Sequence, residues 1–367
     1  MTKFEKVDKI KPDKTIIKQA AGIVRQNGLV AFPTETVYGL GGNGLSPAAI
    51  QKIFQAKNRP LDNPVILHLH SVNQVETLGF PPEEFFFLAE KFWPGPLTMI
   101  IPKKNIVPRE ASGGLDTVAV RMPDHNVALA LIQEAQVPMA APSANLSGRP
   151  SPTTAAHVEL DLSGRIDMII DGGTTGVGLE STVIDLSEKP YQVLRPGGIT
   201  AEQLASALDY CQDTFLYTGS EEDYYAEGNQ SSCDEMITKD KNSIKSPGVK
   251  YRHYSPQGEL YLVEGSGHKL LHKMYEYAND FSKQGYRIGI LLTNELLEED
   301  GNLHKFCYVR RLGNEDQLTE VAHSLYDALR EMDQQGIEII LCRTFSPKGI
   351  GVALMNRLLK ASNGKVL

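Results

Sequence analysis

The stretch AFPTETVYGLGG, residues 31–42, overlaps the end of an apolar run (Leu29–Phe32). It then turns to a proline, two threonines, a glutamate, a tyrosine and three glycines. An ordinary turn needs one or two such residues. Here a strand gives way to a full set of hydrogen-bonding groups and then to permissive backbone, which is the composition of a site at the end of a strand. On its N-terminal side, TIIKQAAGIVRQN (15–27) has helical apolar spacing, with Gly28 where a C-cap glycine would stand. On its C-terminal side, Pro47–Ala56 reads as another helix. Helix, strand, polar loop and helix make the unit of an α/β fold.

The same alternation of types runs on, without regular order. VILHLH (65–70) reads as a strand, PEEFFFLAEKFW (82–93) as a helix stopped by PGP, and LTMIIP (97–102) and TVAVRMP (117–123) as strands. VALALIQEA (127–135) reads as a helix, and PMAAPSAN (138–145), RIDMIIDGG (165–173), STVIDLS (181–187) and YQVLRPG (191–197) each contain a strand. Irregular mixing predicts an α/β fold with a mixed sheet over residues 1–208 in place of a doubly wound parallel one. Residues 209–249 then hold 9 acidic and 3 basic residues and little aliphatic content, the composition of a linker. The linker, 209–256, ends in the aromatic and basic KSPGVKYRHYSP (245–256). From residue 257 to 367, strands and helices alternate regularly, which predicts a small three-layer, Rossmann-like α/β domain with a parallel sheet. That domain has neither GxGxxG after a strand nor a P-loop.

The 367 residues carry a net charge of −8, so a broad nucleic-acid-gripping face is not expected. Four scattered cysteines without CxxC argue against a disulfide framework or a zinc site. The charged N-terminus lacks a signal-peptide core, and no apolar run reaches the ~20 residues of a membrane span. A soluble, cytoplasmic protein is expected.

Several polar residues sit where strands give way to loops. Lys57 and Arg59, two apart before a proline, would form a phosphate clamp if the segment is extended. Taken alone, the pair reads better as a solvated helix C-terminus whose cations suit the macrodipole. Ser143 and Asn145 offer uncharged donors for a phosphate, ribose or base edge, or equally an N-cap or Asx turn. Arg121 could make a surface ion pair, and His68 could simply be packed. There is no GxSxG, no HExxH and no paired carboxylates of glycosidase character. Hydroxyls, amides and cations dominate, which suits a reaction run by positioning and charge neutralisation, such as phosphoryl or nucleotidyl transfer.

PTETVYGLG, KNRPLDNP, FWPGPLT, VAVRMPDH, APSANLSGRPSPT, IIDGG, ESTVID and LRPGGIT follow one another in this order. In this the chain resembles the YrdC-like threonylcarbamoyl-AMP synthases, and its trailing domain and PGVKYRHYSP resemble their long, two-domain form. The resemblance implies a twisted, mixed open α/β sheet around a concave, positively lined cavity. It implies an enzyme, a nucleotidyltransferase, that condenses L-threonine, bicarbonate and ATP to threonylcarbamoyl-AMP and pyrophosphate, for transfer to tRNA by a partner complex. By similarity the signature catalytic quartet is Lys57, Arg59, Ser143 and Asn145. The ATP side would include Arg59, Asn63, Thr117, Ser143, Ser151 and Arg195, with Mg²⁺ on the phosphates and no protein-caged metal. The threonine side would include Thr36, His68, Arg121, Ala141 and Ser181.

The aromatic, basic end of the linker reads as a lid over the cavity, with Tyr251 or His253 touching ATP. An RNA-binding or ribosome-associated factor, with weak tRNA binding, is the alternative from another class. The acidic balance and the lack of RNP-type aromatics argue against it.

Overall fold

The computed structural model describes residues 1–60, 63–208, 215–217, 254–298 and 307–367. Tyr251, His253 and nearly all of the linker lie outside the described residues. The chain forms two contact units. The first comprises 1–147, 151–176 and the described part of 180–250; the second comprises 148–150, 177–179 and the described residues that follow 250.

The first unit is built around the quoted stretch. Helix α1 (Lys14–Arg25) starts because the Asp13 carboxylate accepts from the Thr15 and Ile16 amides at 2.7 and 3.3 Å. It buries Ile17, Ala20, Ala21 and Val24, one stripe of an amphipathic helix. Strand β2 (Val30–Phe32) pairs antiparallel with β3 (Gly39–Asn43), so PTETVY is the loop of a hairpin. Gly39, Gly41 and Gly42, the permissive backbone that follows the polar groups, lie inside β3. A Cβ on Gly41 would stand 2.3 Å from Met139 Cε and 2.6 Å from Phe32 Cε1, so side-chain packing requires the glycine there.

With β1 (Lys3–Lys6), the remaining strands are β4 (Ile66–His68), β5 (Leu97–Pro102), β6 (Thr117–Arg121), β7 (Met139–Ala140), β8 (Met168–Asp171), β9 (Thr182–Asp185), β10 (Tyr191–Arg195) and β11 (Phe215–Tyr217). They form one sheet in the order β1-β8-β2-β3-β7-β4-β6-β5-β9-β10-β11. Parallel and antiparallel pairs are mixed, as expected. The helices are α2 (Pro47–Lys57), α3 (Val75–Leu78), α4 (Glu83–Phe92), α5 (Arg109–Ser112), α6 (Asn126–Ala135), α7 (Ala155–Leu162) and α8 (Ala201–Ala207). In β4 and β6, which run parallel, His68 stands level with Arg121 at the C-terminal ends of both strands.

Residues 57–59 are not extended. Lys57 ends α2, and Asn58 is its left-handed C-cap at φ 51° and ψ 46°. A turn of that hand sends the two cations in different directions. The extended clamp geometry is therefore corrected: the segment ends a helix, but Lys57 is buried and not the solvated cation that a plain helix C-terminus would carry.

The second unit has four parallel strands, β12 (Glu259–Val263), β13 (Ile288–Leu292), β14 (Tyr308–Arg311) and β15 (Ile339–Arg343), in the order β12-β15-β13-β14. Its helices are α9 (Gly267–Lys283), α10 (Asn294–Glu298), α11 (Leu318–Gln334) and α12 (Ile350–Ser362). Leu270, Met274, Ile290 and Leu341 anchor its core. Of the segment read as a lid, only 254–256 are described. Tyr254 is buried, takes φ 66°, stacks on Tyr326 with ring centroids 5.6 Å apart, and lies 5.4 Å from the Arg357 guanidinium.

Candidate active site

A small, solvent-open pocket with a cavity volume of about 40 Å³ lies where the hairpin loop meets the ends of β4, β6 and β7. Thr34, Thr36, Val37 and Gly39 come from the hairpin, His68 and Arg121 from β4 and β6, Ala141 and Ser143 from the chain after β7, and Glu180, Ser181 and Arg195 from β9, β10 and their approach.

Arg121 is 4% exposed. Its Nη2 lies 2.6 Å from Glu35 Oε1 and donates to Thr36 Oγ1 at 2.9 Å, and its Nε donates to the Gly95 carbonyl at 3.3 Å. The hydroxyls beyond it run in one direction. Thr34 Oγ1 donates to the Val37 carbonyl at 2.6 Å, so across the 2.8 Å contact Thr36 donates to Thr34. With its proton committed and one lone pair facing Arg121, Thr36 meets a ligand as an acceptor.

His68 is fully enclosed beside Arg121. Burial first, then the Arg121 charge, hold its pKa down at about 3, so the ring is neutral at physiological pH. From the end of β10, Arg195 grips Ser181 twice, Nε to its carbonyl at 3.0 Å and Nη2 to its hydroxyl at 3.1 Å. That hydroxyl also shares a 2.7 Å bond with Thr98, a wholly buried residue of β5. Glu180 is 7% exposed, and its Oε1 accepts from the Ser151 hydroxyl at 2.5 Å.

The residues expected for threonine, Thr36, His68, Arg121, Ala141 and Ser181, all line this pocket, as do Ser143 and Arg195 from the ATP set. The other expected residues stand elsewhere. Lys57 is buried at 2% exposure and donates to the Ser143 carbonyl at 2.5 Å and the Asn145 carbonyl at 2.7 Å. It therefore braces the loop that carries Ser143 and Asn145. Arg59 lies over the Phe54 ring and donates to the Pro64 carbonyl at 3.0 Å. Asn63 is 1% exposed, and neither end of its carboxamide has a hydrogen-bond partner among the described residues. A buried amide in that state calls for a ligand or a water. Thr117 begins β6, roughly 13 Å along the strand from Arg121 at ordinary strand rise. Ser151 acts on the pocket through Glu180.

Reading the sequence by motif passed over Thr34, Glu35, Thr98 and Glu180. Glu35 and Glu180 stand inside PTET and ESTVID, but nothing linear says that each would meet a cation or hydroxyl from a distant strand. Together the pocket and its immediate wall carry Arg121, Arg195, Glu35 and Glu180, two charges of each sign. A neutral sum with separated poles suits a zwitterion.

Two family models cover the chain. One described as "Telomere recombination" matches residues 22–197, and one described as "Threonylcarbamoyl-AMP synthase, C-terminal domain" matches residues 199–363. A threonylcarbamoyl-AMP synthase from Pyrococcus abyssi is 45% identical over 352 residues, which are 96% of this chain and 95% of the relative. One from Bacillus subtilis is 43% identical over 98% of this chain and 96% of its own. The crystal structure of P. abyssi Sua5 complexed with L-threonine superposes at a TM-score of 0.88 and 43% identity, covering 100% of this chain and 99% of that one.

Proposed function

The chain belongs to the threonylcarbamoyl-AMP synthase family, and we propose that it condenses L-threonine with bicarbonate and ATP, releasing pyrophosphate. The observation that carries this reading is the charge-neutral pocket, with guanidinium and carboxylate poles and an acceptor hydroxyl at Thr36. It fits the carboxylate, ammonium and hydroxyl of threonine. The amine adds to carbon from bicarbonate to give a carbamate. A carbamate oxygen then bonds to the α-phosphorus of ATP as the bond to pyrophosphate breaks.

Arg59 and Arg195 offset charge that builds on the phosphates, and Lys57 acts by holding the Ser143–Asn145 loop in place. The orphaned carboxamide of Asn63 suits an ATP edge. Mg²⁺ would accompany ATP and neutralise its phosphates. Among the described residues no group of three His, Cys, Asp or Glu side chains could hold a metal ion. The product would pass to a complex that transfers the threonylcarbamoyl group to tRNA. Among the described residues no helix is long and apolar enough to cross a membrane.

The test is pyrophosphate release by the full chain with each substrate omitted in turn. Release is expected only with ATP, L-threonine and bicarbonate together. Equal release without threonine would contradict the reading.

A further inference from the structure

FWPGPLT (92–98) contributes no residue to the described pocket lining. Its threonine, Thr98, reaches the wall from behind. Thr98 is the second residue of β5 and wholly buried. β5 runs parallel to β9 with Thr98 level with Val183, which sets Thr98 beside the chain that enters β9 and carries Ser181. The Thr98 and Ser181 hydroxyl oxygens are 2.7 Å apart.

Either oxygen could supply the proton of that contact, and the surroundings decide which. Among the described residues the Thr98 hydroxyl meets no other hydrogen-bonding group. A Thr98 proton turned away from Ser181 would be stranded in a closed, apolar site, so Thr98 donates. Ser181 Oγ also accepts from Arg195 Nη2 at 3.1 Å, because a guanidinium only donates. A hydroxyl oxygen has two lone pairs, and both are then taken. The Ser181 proton is left for the pocket, which Ser181 lines. Thr36 is ordered in the opposite sense, with its proton on Thr34 and a lone pair on offer. The two hydroxyls therefore sort the ends of an amino acid. A carboxylate only accepts and an ammonium only donates, so Ser181 suits the first and turns the second away.

We propose that Thr98 is a positioning residue that makes Ser181 a fixed proton donor, and that Ser181 thereby takes a carboxylate oxygen of the amino-acid substrate. This rests on reading the pocket as the threonine seat. Thr98 is shut off from the pocket and acts only through the hydroxyl it orders. The donor end of the amino acid, turned away from Ser181, falls to Thr36.

The experiment measures kcat and the KM values for L-threonine and ATP, by pyrophosphate release from the full chain. Wild type, Thr98→Val, Thr98→Ser, Ser181→Ala and the Thr98→Val/Ser181→Ala double variant are compared. Valine has the shape of threonine and suits a buried strand, so Thr98→Val removes little besides the hydroxyl. It should raise the KM for L-threonine roughly three- to tenfold, as one oriented hydrogen bond would, with kcat and the KM for ATP within about twofold of wild type. Thr98→Ser keeps the donor and should restore the KM for L-threonine to within about twofold. In the Ser181→Ala background Thr98→Val should change that KM by less than about twofold, because the hydroxyl it acts through is gone. A KM for L-threonine that Thr98→Val leaves within about twofold of wild type overturns the proposal. So does an effect of the same size with and without the Ser181 hydroxyl, or a Thr98→Ser variant as impaired as Thr98→Val, either of which marks a packing role. A raised KM for ATP in place of L-threonine overturns it too, because Ser181 would then face a phosphate. If Thr98→Val does not fold, Thr98→Ala in the same cycle decides by the same criteria. Wild type that releases no threonine-dependent pyrophosphate would instead defeat the functional reading on which the proposal rests.

Discussion

His68 shows how a single residue ties the pocket to the stability of its unit. It sits on β4 level with Arg121, edge-on to Phe32 with ring centroids 6.4 Å apart, and it stays neutral in the fold. In the unfolded chain its pKa is near 6.5; in the fold it is about 3. Between those values the unfolded state holds a proton that the folded state refuses. Stability therefore rises with pH through this window, and is lost progressively as pH falls below about 6.5. The slope from this one group is at most about 1.4 kcal/mol per pH unit. His125, also held below its ordinary value by burial, adds a term of the same sign. The chain's single tryptophan, Trp93, is buried in the first unit, so its fluorescence reports that unit alone. Urea titrations followed at Trp93 from pH 4 to 7 should give a shallower dependence for His68→Asn than for wild type. An identical dependence would mean that His68 is not the buried neutral group described.

At the scale of an element, the C-terminus of α2 does more than end a helix. The left-handed turn at Asn58 leaves Lys57 inside the unit, where its ammonium meets two carbonyls of the 143–145 loop. Lys57→Met should strand both acceptors, each at ~1–3 kcal/mol, and so lower both the Trp93-detected stability and turnover. Stability kept within about 0.5 kcal/mol with activity lost would show that Lys57 contacts ligand and is not a brace. The sequence places Lys57 and Ser143 in matched motifs, but the direction of the Lys57 side chain depends on a backbone hand at Asn58 that no propensity announces. The same limit explains which elements were legible. Helix α1 and the helices α9 and α11 of the second unit show clear periods, because one face of each is buried, and the strands β13 and β15 read as short apolar runs because both faces are. The strands KFEK (β1), largely exposed, and YVRR (β14), half-buried, lie at sheet edges, are charged, and carry no apolar alternation to read. GLGGN (β3) reads as loop because glycine is depleted in strands. It forms one because the Met139 and Phe32 side chains occupy the space a Cβ would need. The site shows the same division. Hydroxyls and cations at strand ends were visible as types, but the pairings Glu35 with Arg121, Thr98 with Ser181 and Ser151 with Glu180 join segments 29 to 86 residues apart.

For the whole molecule, the question is whether the first unit is self-sufficient. Every described lining residue of the pocket falls between Thr34 and Arg195, and its core cluster runs from Leu29 to Leu208 without drawing on the second unit. The two family models likewise divide between residues 197 and 199. A chain of about 200 residues buries roughly 70% of the surface its unfolded form exposes, enough for a domain to stand alone. A chain ending at residue 208 should therefore unfold in one cooperative, Trp93-detected transition. It should also bind L-threonine within about threefold of the full chain, a difference of ~0.6 kcal/mol. Calorimetric titration of threonine into both chains, with urea melts alongside, reads this directly. The loops 148–150 and 177–179, which group with the second unit, lie one residue from Ser151 and Glu180. They give the measurement its contrary outcome. A short chain that melts normally but binds threonine more than tenfold weaker would mean that the Ser151–Glu180 bond holds only when those loops are held, and that the pocket needs the whole molecule.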